Sequence, residues 1–279
     1  MPSLQLELLR ISRPRFWIYT VGPALLGATV VFLDAGFSPL VLVLLAYFSF
    51  PANLLIYGVN DVFDYETDRL NAKKQGYEQA LPPDRRRFLW KAMIVSHLPF
   101  LPLLVFLPVH ALLALLVFWG LSIGYSAPPL RFKTKPGLDS ASNVLYLVPF
   151  LVTYVAGGGT SINPLLLAAG SLWCMAMHAY SAVPDIEADR QAGVHTIATW
   201  AGGKATLWLC LIAYLVSGVL AAYAFGWPFA ALGLVYVGMM AASFWAYQQK
   251  QLMRIYRLFP MVNMAAGFGI FLLLLLRAA

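Results

Sequence analysis

The chain has 279 residues, 61% of them hydrophobic and 11% charged, with a net charge of +7 and a mean hydropathy of +0.73. A soluble domain is about half apolar and about a quarter charged, so the composition excludes a soluble enzyme. It describes an all-α polytopic membrane protein. Runs of roughly 20 apolar residues each cross a hydrocarbon core of about 30 Å, and the length accommodates about nine of them.

Residues 1–15 read as a short interfacial helix, with Leu4, Leu6, Leu8, Leu9 and Ile11 offering apolar surface and Arg10, Arg13 and Arg15 suited to headgroups. No cleavable signal pattern is expected, because Pro14 and charged residues precede an apolar stretch far longer than a signal h-region. A first span, 16–33, carries Phe16, Trp17 and Tyr19 at its entry. Gly22, Pro23 and Gly27 inside it permit close packing or a kink. A second span, 39–60, returns to the first side. The polar segment 69–87 follows, with Lys73, Lys74, Pro82-Pro83 and the Arg85–Arg87 run. It reads equally as a headgroup patch and as a basic flap over a diphosphate.

Spans three and four, 88–107 and 110–127, flank the Pro108-Val109-His110 turn. The next loop, Tyr125 to Lys135, is stiffened by Pro128-Pro129 and carries Arg131 and Lys133. Spans at 139–156, 164–184, 205–225, 228–247 and 258–276 complete the chain. Asp139, Asn143, Tyr146, His178 and Tyr180 lie within the fifth and sixth; polar groups at such depth face the bundle interior and mark either function or interhelical hydrogen bonds. Cys174 and Cys210 have no metal or redox spacing and read as small core residues. Lys and Arg collect at the N-terminus and in alternate loops, while the connections near Asp34, 108–110, 157–163 and 226–228 carry none. By the positive-inside rule the basic loops are cytoplasmic, and no nucleic-acid partner is needed to explain the net charge.

The chemistry concentrates at Asn60-Asp61-Val62-Phe63-Asp64-Tyr65-Glu66-Thr67-Asp68-Arg69. Asn60, Asp64 and Asp68 follow at i, i+4 and i+8, one face of a helix, with Asp61 on the neighbouring face. The pattern Asp-x-Glu-x-Asp-Arg then recurs as Asp185-Ile186-Glu187-Ala188-Asp189-Arg190. A single acidic helix end reads as a solvated cap about one time in three. Two matching copies favour a site in which Asn60, Asp61, Asp64, Asp68, Asp185 and Asp189 ligate metal. Clustered carboxylates stay ionised together only with cations among them, and hard oxygen donors suit Mg²⁺ shared with substrate phosphates. The two halves each run helix pair, acidic motif, basic loop, as two pseudo-repeated halves of one transmembrane domain spanning 1–279. Repeats of that kind also build ion-coupled transporters, but here the carboxylates gather at one membrane face rather than at the midplane.

Arg13-Pro14, Asn60–Asp68, Tyr125–Lys133 and Asp185–Asp189 together resemble the motif blocks of the UbiA superfamily of intramembrane prenyltransferases, and the resemblance covers nearly the whole chain. It implies a bundle of about nine transmembrane helices around a central cavity open to lipid, and two Mg²⁺ ions bridging an isoprenyl diphosphate to the carboxylates. It implies that Asp64, Asp185 and Tyr125 are catalytic. Arg13, Arg131, Lys133 and Asn60 correspond to positions that hold the diphosphate. Members of the family that serve quinones, haem, chlorophyll or archaeal lipids often carry Asn-Pro and Arg-Pro-Leu blocks after the first motif; here that segment reads Asn71-Ala72-Lys73-Lys74-Gln75-Gly76 and onward to Pro83. With Ser12–Trp17 it is more similar to the branch that adds dimethylallyl units to a carotenoid such as lycopene. A quinone-type aromatic acceptor stays as the alternative.

Overall fold

The computed structural model describes residues 4–65 and 81–278. Asp68 and most of the segment 69–87 fall outside the described residues. The regular elements among those residues are all helical. Helices α1 (Leu4–Ile11), α2 (Ile18–Ala35), α3 (Pro39–Phe48) and α4 (Phe50–Phe63) lead to the first motif. They are followed by α5 (Arg86–His97), α6 (Leu103–Phe106), α7 (Val109–Ser126), α8 (Leu138–Ala141) and α9 (Val148–Ala156). Helix α10 (Pro164–Ala182) leads to the second motif, on α11 (Ile186–Gln191). The last five are α12 (Ile197–Ala201), α13 (Gly203–Phe225), α14 (Trp227–Gln248), α15 (Leu252–Tyr256) and α16 (Phe259–Ala278).

Eight helical stretches among the described residues are long and apolar enough to cross a membrane. The expected span at 88–107 takes a different form: α5 gives way to a 3₁₀ turn at Leu98–Phe100 and then to the four-residue α6. Pro99 and Pro102 account for the break, since each removes a backbone donor and clashes with the preceding turn. Pro23 does not break α2, which runs unbroken through it, as membrane helices tolerate when neighbours satisfy the freed groups. On α13 the exposed face is apolar, with Leu209, Ile212, Val216 and Val219, while Thr206, Cys210 and Ser217 are buried. That reversal of the soluble pattern is what a lipid-facing helix requires.

The chain divides into two compact units. The first comprises Met1–Arg131 and Val148–Thr160, the second Phe132–Leu147 and Ser161–Ala279. In the first, α4 packs on α5 through Leu54, Leu55, Val59, Val62, Leu89 and Met93. Gly58 permits this approach, because a β-carbon there would meet the Met93 sulfur. Gly27 plays the same part for α2 against α9, facing Thr153 and the Phe150 carbonyl. Between α3 and α4, Pro51 interrupts the hydrogen-bond ladder. The buried Asn53 amide donates to the Phe48 and Ser49 carbonyls at 3.1 and 2.6 Å and to Thr20 Oγ1 at 2.7 Å, replacing the missing backbone bonds. In the second unit α13 packs on α14 with Gly218 and Gly233 backbone to backbone, and on α10 through Ser217 Oγ donating to the Ala169 carbonyl at 2.8 Å. Cys174 and Cys210 are free and buried, as core residues.

Candidate active site

In the first unit Asn60, Asp61 and Asp64 come together at the end of α4, with Arg13 bonded to Asp61. Asn60 lies in the last turn, and Asp64 caps the helix with φ −105° and ψ 5°, its N–H bonded to the Asn60 carbonyl at 2.9 Å. The i, i+4 relation therefore survives the helix end. Ser126, fully buried at the end of α7, donates to Asn60 Oδ1 at 2.7 Å and lies 3.5 Å from Asp64 Oδ2. One hydroxyl thus ties the two side chains together. Asp61 is 3% exposed and Asp64 8%, and both sit where the helix presents its negative end, which disfavours carboxylates. Cationic compensation is required, and for Asp61 it is Arg13.

Arg13 Nη2 donates to Asp61 Oδ1 at 2.9 Å, with both side chains largely buried. Its guanidinium also lies over the Tyr57 ring, 4.6 Å from the centroid. Pro14 disfavours the α region for the residue before it and favours extended backbone, yet Arg13 adopts φ 51°, in the left-handed region that few non-glycine residues occupy. The Trp17 indole donates to the Ser12 carbonyl at 3.0 Å, holding the turn. Arg131 repeats the feature with φ 38° after Pro128-Pro129. Two arginines expected at the diphosphate are thus both held in sparsely populated backbone states, which cluster at functional sites. Tyr125 is half-buried beside Ser126. Arg85, at the edge of the basic segment, pairs with Glu7 of α1 and stacks on Phe88.

The second unit carries Lys133, Asp185 and Asp189. Pro184 ends the run of α10 in a 3₁₀ turn, Val183–Asp185, and Asp185 then starts α11 with φ −97° and ψ −2°. Asp185 and Asp189 are half-buried; Glu187 is exposed and accepts from Gln191 Nε2 at 3.1 Å. Lys133 is buried. Asp139 is fully buried, accepts the Ile197 N–H at 2.9 Å and lies 3.7 Å from His178 Nε2. It therefore links α8, α10 and the start of α12 on either side of the second motif. Tyr180 is fully buried, bonded to Ser243 at 2.9 Å with its ring edge-on to Phe259. It is a packing residue in this structure rather than an open aromatic face.

Among the described residues no three acidic, His or Cys side chains converge on one point; Asp68 is not among them. The donors that do meet in the first unit, Asn60, Asp64 and the Ser126 hydroxyl, are all oxygens. That set fits a hard divalent cation such as Mg²⁺ and does not suit a thiophilic metal. Ser126 and the Arg13–Asp61 pair were not marked as site features by the sequence. A lone serine carries no chemical signature, and the ion pair joins residues 48 positions apart.

The chain is an all-helical membrane bundle whose first unit holds buried side-chain oxygens at the end of α4 and two arginines with positive φ. The profile of the UbiA prenyltransferase family matches residues 20–273, and the chain belongs to that family. It is similar to a lycopene elongase/hydratase from Haloarcula japonica, 42% identical over 84% of this chain and 79% of the relative. Among solved structures it is similar to an apo UbiA homolog from Aeropyrum pernix, with a TM-score of 0.72, 18% identity and coverage of 93% and 98% of the two chains. A UbiA homolog from Archaeoglobus fulgidus bound to DMAPP and Mg²⁺ matches with a TM-score of 0.66 and 19% identity, over 94% of this chain and 98% of that one.

Proposed function

We propose that this protein transfers dimethylallyl groups from dimethylallyl diphosphate to lycopene, with hydration of the product, in the cell membrane of a bacterium or archaeon. The observation that carries the reading is the 42% identity to a lycopene elongase/hydratase across most of both chains. The Asn60–Ser126–Asp64 oxygen cluster supports the diphosphate part of it. The Mg²⁺ and dimethylallyl diphosphate held by the Archaeoglobus homolog support the donor and cofactor.

Asn60, Asp64 and Asp68 of the first motif and Asp185 and Asp189 of the second would hold two Mg²⁺ ions on the cytoplasmic side. When bound, the metal neutralises charge developing on the leaving diphosphate. Arg131 and Lys133 would bind its oxygens, and Arg13 keeps Asp61 ion-paired. Ser126 fixes the orientation of Asn60 and Asp64, so little reorganisation accompanies the reaction. As the carbon–oxygen bond to diphosphate breaks, Tyr125 offers an aromatic face to the allylic cation, an attraction of about 0.5–2 kcal/mol. A terminal alkene carbon of lycopene forms the new carbon–carbon bond. The tertiary cation that results takes up water and loses a proton, giving a C45 alcohol, and a second round at the other end gives a C50 diol.

Expression in a lycopene-accumulating host tests this. Lycopene should be converted to products carrying one or two added C5 units, with a hydroxyl for each. An unchanged lycopene pool, with prenylation of 4-hydroxybenzoate or a naphthoate by the same membranes, would transfer the assignment to an aromatic acceptor.

A further inference from the structure

The second unit contains a cavity of about 580 Å³ bordered by Val183, Pro184, Lys204, Phe244, Lys250 and Leu252, among others. It is not built from the residues assigned to the reaction, although Pro184 immediately precedes Asp185. Its place in the fold is informative. Helix α10 ends at Ala182, α13 begins at Gly203, α14 ends at Gln248 and α15 begins at Leu252. Four helix ends meet on the membrane face that carries the basic loops, so the cavity lies at headgroup depth rather than among acyl chains.

Among the described residues the lining has two cations, Lys204 and Lys250, and no carboxylate. Lys204 is the second residue of the 23-residue α13, where the helix presents its positive end. Lys250 has φ 55°, and its turn is held by its own N–H to the Tyr247 carbonyl at 3.1 Å and by Gln251 N–H to the Ala246 carbonyl at 2.8 Å. The wall between the two lysines is close-packed: the Tyr247 ring rests on Gly203, where a β-carbon would collide with it. Gln248 and Tyr247 add neutral polar groups to the lining, and Val183, Pro184, Phe244, Leu252 and Met253 make the rest of it apolar. Paired cations above an apolar wall at a membrane boundary match an anionic amphiphile, and basic pockets between membrane helices recognise phosphorylated headgroups.

We infer that this cavity binds the phosphoryl group of an anionic phospholipid, with Lys204 and Lys250 as its counter-charges and the Phe244–Leu252 wall receiving the apolar portion. A ligand that binds the folded state raises its melting temperature. The full chain, purified and delipidated in an uncharged detergent, is therefore melted with dioctanoyl phosphatidylglycerol, dioctanoyl phosphatidylcholine or inorganic phosphate. Phosphatidylglycerol should raise the midpoint by several degrees and phosphatidylcholine should not. Lys204→Gln with Lys250→Gln should remove at least half of that shift, and Lys204→Arg with Lys250→Arg should retain it. Lys91→Gln with Lys135→Gln, two exposed lysines elsewhere, should also retain it. Inorganic phosphate matching phosphatidylglycerol, with the same loss in the double Gln variant, would support phosphoryl recognition with a soluble source in place of lipid. An undiminished phosphatidylglycerol shift in the double Gln variant would overturn the inference, as would equal shifts with both lipids. If the double Gln variant does not fold, native mass spectrometry of Lys250→Gln takes its place; unchanged phosphatidylglycerol occupancy there would equally overturn it.

Discussion

Asp64 closes a 14-residue helix; Asp185 opens a six-residue one. Each leads a copy of Asp-x-Glu-x-Asp-Arg, and their backbones nearly coincide, at φ −105°, ψ 5° and φ −97°, ψ −2°. The surroundings differ. Asp64 is buried, tied to Asn60 through Ser126, and sits at the negative end of its helix. Asp185 is half-buried at a helix start, where a carboxylate is favoured by about 0.3–1 kcal/mol at the surface. The residue before each explains the contrast: Phe63 continues α4, whereas Pro184 ends the run of α10. One acidic sequence thus gives a buried, hydrogen-bonded aspartate in the first unit and a more solvated one in the second.

The largest effect is expected at Asp64. Asp64→Ala should lower turnover at least about a thousandfold, as loss of several kcal/mol of charge stabilisation demands. Its melting temperature should hold or rise, because a carboxylate leaves a helix end that disfavours it. A lowered melting temperature with activity retained would reverse the assignment of Asp64 from function to structure.

Next in size is the Arg13–Asp61 pair. Arg13→Ala takes the guanidinium from a buried carboxylate and should cost about 3–5 kcal/mol of stability. Adding Asp61→Asn should recover a substantial part, which a double-mutant cycle in mixed micelles can read. Strict additivity would mean that the pair does not couple.

The second unit has its own anchor in Asp139. Asp139→Ala frees the Ile197 N–H, a loss of about 1–3 kcal/mol for an unmade buried bond, and should raise hydrogen exchange around 192–197. Unchanged exchange there would remove Asp139 as the link to the second motif. The smallest effect belongs to Ser126→Ala. Loss of one hydroxyl bond is about 1 kcal/mol, so turnover should fall by about tenfold or less, with Ser126→Thr between the two.

The membrane fold was legible because the apolar runs declare it, and Asn60 and Asp64 were placed together by simple i, i+4 spacing. The segmented stretch at 98–106 was less so: its hydropathy is that of a span, and only Pro99 and Pro102 signal the break, a signal that Pro23 in α2 carries without breaking anything. Arg13 was picked out by its motif, but its partner Asp61 comes from another helix, and no local pattern reports such a pairing. In sequence, Tyr57 and Tyr180 each lie a few residues upstream of an acidic motif. Tertiary packing separates them, placing Tyr57 beneath a guanidinium and Tyr180 in the core. Asp139 was visible as a polar residue at membrane depth, but its bond to Ile197 spans 58 positions.

Both acidic copies are expected to serve one reaction despite their unlike settings. The most direct test is diphosphate release from dimethylallyl diphosphate, with lycopene present, across a Mg²⁺ titration of membranes carrying wild type, Asp64→Asn or Asp185→Asn at equal folded protein. Wild type should show saturable, Mg²⁺-dependent release that chelation abolishes. Both variants should fall about a thousandfold or more. Turnover in Asp185→Asn close to wild type, with an unshifted Mg²⁺ midpoint, would contradict that expectation and leave the first motif to act alone.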